Sequence, residues 1–123
     1  MASDTRDAMT TRFDAASLLD QYGDHALVRE LARLFISSAD AQTALVSAAV
    51  EQRDARALGA AAHRLRGGLA TIGATHAADR ARQLESMGAS GDLAGADEIA
   101  RQLGDDIRSL CGSAATWLAQ HDG

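Results

Sequence analysis

The sequence predicts a single all-α domain, an antiparallel up-down four-helix bundle preceded by a short N-terminal lid helix. Three observations carry that expectation. Proline is absent and aromatic residues make up only 3% of 123 residues, while alanine and leucine dominate, so helix formers outnumber the residues that strands prefer. Apolar residues recur at alternating steps of three and four along most of the chain. Glycines, singly or in pairs, separate the periodic stretches.

Residues 1–12 are polar without helical periodicity and are expected to be a disordered tail. Structure is expected to begin at Phe13, with Asp14 as an N-cap and Phe13 able to staple against Leu18, giving a short helix that ends near Gly23. From Asp24 the positions Leu27, Leu31, Leu34, Ser38, Ala41, Leu45 and Ala48 form one stripe of a long helix. Asp54 then caps a second long helix whose inner stripe is Leu58, Ala62, Leu65, Leu69 and Ile72, closed by Gly73. A third runs from Thr75 to Met87, facing inward through Ala77, Ala81 and Leu84, before a turn at Gly88-Ala89-Ser90-Gly91. The last carries Leu93, Ala96, Ala100, Leu103, Ile107, Leu110, Ala114 and Trp117. Short loops between amphipathic helices favour antiparallel neighbours, hence the bundle over residues 13–119, with 120–123 as a C-terminal tail.

Composition excludes several functions. Twelve cationic residues, all arginine, against seventeen acidic ones give a formal charge of −5, which argues against general nucleic-acid binding. No apolar run approaches a membrane span, and no signal peptide is recognisable, so a cytoplasmic protein is expected. The lone Cys111 has no disulfide partner and falls beside the last apolar stripe, where it reads as packing. No Glu-x-x-His pair or cluster of ligands suggests a metal site, and no strand precedes a glycine-rich phosphate loop.

One residue stands apart. At 100° per residue, His63 lies about 160° from Leu65 and well off the inner stripe, so it should face solvent. Its helical neighbours are Gly59 and Ala60 one turn before, Arg66 and Gly67 one turn after, and Ala70 two turns after. All but Arg66 are small. Gly67 and Gly68 together cost on the order of 2 kcal/mol relative to alanines, which a requirement for close approach would explain. Arg66 could pair with an acquired anion. The helix is locally basic, with Arg56, Arg64 and Arg66 against Asp54, whereas the last helix is acidic. His25, His76 and His121 lack such surroundings.

The run Ala62-His63-Arg64-Leu65-Arg66-Gly67, followed by Gly73-Ala74, resembles the signature of the histidine-containing phosphotransfer (HPt) family: a histidine, a basic residue three later, a glycine four later and another ten later. The resemblance extends to Leu84-Glu85, Phe13-Asp14 and Leu34-Phe35. It implies that His63 Nε2 takes a phosphoryl group from a receiver-domain aspartate or a hybrid histidine kinase and passes it to a response regulator. The module would be a phosphocarrier rather than an enzyme, with no cofactor of its own. Mg²⁺ and most transition-state stabilisation would belong to the receiver. Attack needs a neutral imidazole, available near neutral pH to a side chain that ionises at about 6.5 in peptides.

The resemblance also implies roles for neighbours. Arg66 would stabilise the phosphoryl group, and Glu85 would hold Nδ1–H and leave Nε2 as the nucleophile, unless it pairs instead with Arg82. Gly59, Ala60, Arg64, Gly67 and Ala70 would form the partner-docking face. Two positions depart from the family pattern: arginine replaces the usual lysine at 66, and Gly68 replaces a small hydroxyl residue. A free-standing monomer is expected, and an excised domain of a larger kinase is the other possibility. The alternative function is an HPt-like scaffold or inhibitor that binds a receiver or kinase without carrying phosphate.

Overall fold

Each helix of the computed structural model, which describes residues 12–121, starts or stops where the sequence offers a partner for the orphan backbone groups at its ends. Helix α1 (Ala15–Tyr22) is capped by Asp14, whose carboxylate accepts from Ser17 N at 3.1 Å, and it ends on Gly23 at φ 68°. Helix α2 (His25–Glu51) is capped in the same way by Asp24 on Leu27 N at 3.2 Å. Helix α3 (Ala55–Thr71) is capped by Asp54 on Ala57 N at 3.1 Å and closes into Gly73 at φ 72°. Helices α4 (Thr75–Ser90) and α5 (Ala96–His121) complete the chain. No strand occurs among the described residues.

The four long helices close a ring of contacts, α2 on α3, α3 on α4, α4 on α5 and α5 on α2, while α1 packs on α2. Leu58, Ala62, Leu65, Leu69 and Ile72 of the α3 stripe and Ala77, Ala81 and Leu84 of α4 are all buried, as their spacing predicts. Alanine is common in this core, which brings backbones close. Asp106 of α5 is the one buried charged residue among those described, and Arg80 of α4 donates to it. Phe13 is buried with its ring on Trp117 at 5.6 Å, and its N–H donates to Ser113 Oγ at 2.9 Å, tying the start of the structure to α5. Among the described residues, no helix is long and apolar enough to cross a membrane.

Three expectations need correction. Helix α2 turns a different face inward: Val28, Ala32, Phe35, Ala39, Val46 and Ala49 are buried, whereas Leu27, Leu34 and Leu45 stay 40%, 55% and 51% exposed. Two apolar stripes lie one residue apart on this helix. The buried one places Ala32, Ala39 and Ala49 between Val28, Phe35 and Val46, small and large side chains in turn, which suits close packing against alanine-rich neighbours. Next, α4 does not stop at Met87. It continues through Gly88 and ends at Gly91, φ 82°. Finally, α5 begins at Ala96 rather than Leu93, since Gly95 takes φ 85°, a conformation no helix includes. It runs on to His121, past the expected end at residue 119. Residues 1–11 of the expected N-terminal tail, and 122–123 of the C-terminal one, lie outside the described residues.

Candidate functional site

His63 projects from the middle of α3 with its side chain 66% exposed. Facing it from α4 is Glu85, half-buried, whose Oε2 lies 2.7 Å from His63 Nδ1. The other carboxylate oxygen accepts from Arg66 Nε, also at 2.7 Å. Arg66 Nη2 comes within 3.2 Å of His63 Nδ1. The three residues that the sequence singles out for chemistry therefore meet. Arg82, the rival partner for Glu85, pairs with Asp79 instead.

Proton positions follow from the charges. Hydrogen bonding from Arg66, and next from His63, holds the Glu85 carboxyl below its ordinary value of 4.5. An ionised carboxylate only accepts, so Nδ1 carries the proton and donates it to Oε2. Arg66 Nη2 is then a neighbouring donor rather than a partner of the ring. In the neutral imidazole the lone pair sits on Nε2, where no hydrogen-bond partner occurs among the described residues. The result is an oriented imidazole whose Nε2 lone pair is open to solvent.

The surface around it is low. Ala60, Gly67 and Ala70 are exposed, as is Arg64, and a β-carbon at Gly67 would touch nothing within 4 Å. Gly59 differs from expectation: it is half-buried against the backbone of Gly88 and does not belong to the open face. Among the described residues no carboxylate pairs with Arg56 or Arg64, whereas Arg66 is engaged by Glu85, so the free positive charge lies beside His63 rather than on Arg66.

Sequence reasoning missed a neighbouring feature. A groove of about 180 Å³ runs between α2 and α3, lined by Leu31, Leu34, Phe35, Leu65, Gly68, Thr71 and Ile72 among others. Gly68 lines it on the α3 side, and Leu34, one of the leucines that α2 leaves exposed, lines it on the other. The doubled apolar stripe of α2 was the signal that could have revealed it.

The site and frame define a class first: an all-helical domain that offers an exposed histidine, oriented by a carboxylate from the next helix, on a low surface. A family model for the Hpt domain matches residues 30–113. The chain belongs to the histidine-containing phosphotransfer family, whose members carry phosphoryl groups on histidine in two-component signalling. No curated protein and no solved structure gives a match.

Proposed function

We propose that this protein is a phosphocarrier in which His63 accepts a phosphoryl group from a receiver-domain aspartate and delivers it to a second receiver. The observation that carries this reading is the pairing of an exposed His63 with Glu85 at Nδ1, which leaves Nε2 available. In the transfer, the Nε2 lone pair forms a bond to phosphorus as the bond from phosphorus to the aspartyl oxygen breaks. The electron pair returns to the aspartate carboxylate, and the reverse step discharges the histidine. The developing positive charge on the ring is shared with Glu85 through Nδ1–H.

Arg66 lies on the Nδ1 side of the ring, bound to Glu85. To meet a phosphoryl group on Nε2 its flexible side chain turns away from Glu85, exchanging one anion for another. Ala60, Gly67 and Ala70 leave room for the receiver's active site, Arg64 and Arg56 face its acidic rim, and the groove lined by Leu31 and Leu34, which shares helix α3 with His63, takes an apolar surface of the same domain. The ring of helix contacts supports an antiparallel up-down four-helix bundle with α1 as a lid. The chain acts as a monomer in the cytoplasm, without a cofactor of its own and with Mg²⁺ held by the receiver.

The test is transfer from a receiver domain charged with labelled phosphate. Acid-labile, base-stable label should appear on the wild type and be absent from His63→Gln. Binding of the receiver without any label on the wild type would establish a scaffold instead.

A further inference from the structure

Helices α3 and α4 approach closely at Gly88. A β-carbon there would lie 2.5 Å from the backbone nitrogen of Gly59, 2.7 Å from its Cα and 2.7 Å from the carbonyl oxygen of Ala55. All three are backbone atoms, so no rotamer change relieves the overlap. The relation is not symmetrical: a β-carbon on Gly59 would meet Gly88 at 3.8 Å, an ordinary contact. Gly88 is also helical, inside α4, where alanine forms helix better. Helix propensity and turn geometry therefore give no reason for glycine at 88, and the close crossing does.

The same crossing sets the site. One turn on from Gly59 along α3 stands His63, and three residues back from Gly88 along α4 stands Glu85. The 2.7 Å bond between them is the next contact along the pair. We propose that Gly88 is a positioning residue: its missing side chain lets α4 lie near enough to α3 for Glu85 to hold Nδ1–H of His63. The proposal rests on the reading of His63 as phosphoacceptor only for its consequence in transfer.

Regaining ordinary contact at 3.4 Å from 2.5 Å requires the backbones to part by about 0.9 Å. Carried one turn along the pair, that movement takes a 2.7 Å bond beyond hydrogen-bond range. Among the described residues Glu85 binds only His63 and Arg66, and both belong to α3 and recede together.

The experiment compares Gly88→Ala and Gly59→Ala with wild type in the full chain. Folding is followed by circular dichroism, the His63 tautomer by ring ¹⁵N shifts, and phosphoryl uptake by reaction with phosphoramidate, in which Nε2 displaces ammonia from phosphorus. Gly59→Ala should keep the Nδ1–H signature and the uptake rate. Gly88→Ala should fold, show mixed tautomers and take up phosphate about tenfold more slowly, the scale on which losing a histidine's orienting partner acts. Should Gly88→Ala not fold, Gly59→Val, a milder wedge at the same crossing, decides by the same signature. A wild-type ring signature in the deciding variant, or an equal shift in Gly59→Ala, overturns the proposal. The signature is read on unphosphorylated protein, so a wild type that shows it but takes up no phosphate refutes the phosphocarrier reading alone.

Discussion

Replacing Leu34 by alanine should weaken receiver binding without unfolding the protein. Leu34 is 55% exposed on the wall of the α2–α3 groove. Burying a whole leucine side chain contributes about 1.5–3 kcal/mol, so the half still exposed can add about 1 kcal/mol on docking. That is roughly fivefold in Kd. The half already buried sets the cost to folding at about 1 kcal/mol or less, against about 2–5 kcal/mol for truncating a buried leucine such as Leu65, 2% exposed. Leu45 supplies the control. It is 51% exposed on the same helix but eleven residues, or about 16 Å, further along and outside the groove. Calorimetric titration with an isolated receiver domain should show the fivefold loss for Leu34→Ala and none for Leu45→Ala. Equal losses for both would reduce the effect to general surface hydrophobicity, and no loss for Leu34→Ala would remove the groove from the docking surface.

Gly67→Gln should preserve helical content by circular dichroism yet slow transfer from a charged receiver by tenfold or more, since its side chain enters space now open; undiminished transfer would contradict a low docking surface. Arg66→Ala should shorten the lifetime of phosphorylated His63, measured as label loss over time, and an unchanged lifetime would confine Arg66 to holding Glu85. The Glu85 carboxyl is depressed below 4.5 by Arg66 first and His63 second. Its contribution to the folded state is therefore complete above the unfolded value and is lost as pH falls through the lower folded one. A carboxyl ¹³C titration should place its midpoint below 4.5, and a midpoint at or above that value would mean the contact with Arg66 does not persist in solution.

Where the sequence held a single apolar stripe, its inner face was legible. Leu58 to Ile72 on α3 and Ala77 to Leu84 on α4 point as their spacing requires. On α2 the pattern was double, and hydrophobicity favoured the leucines while close packing favoured Val28, Ala32 and Ala39. Periodicity carries no information about how near a neighbouring helix can come. The same limit hid the role of Gly88. A glycine near the end of a periodic stretch reads as a turn, and only the approach of a second backbone reveals that it is a contact. Asp14 and Asp54 were readable as caps because capping is local. The meeting of Glu85 with His63 across 22 residues is not local, and it came from family resemblance rather than from spacing.

The most direct measurement is to locate the phosphoryl group itself. With ¹⁵N-labelled protein charged by a receiver domain, coupling between ³¹P and ring nitrogen should place phosphorus on Nε2 of His63, while Nδ1 keeps its proton. Phosphorus on Nδ1, on another residue, or on no residue of the chain would contradict an imidazole oriented by Glu85 for attack through Nε2.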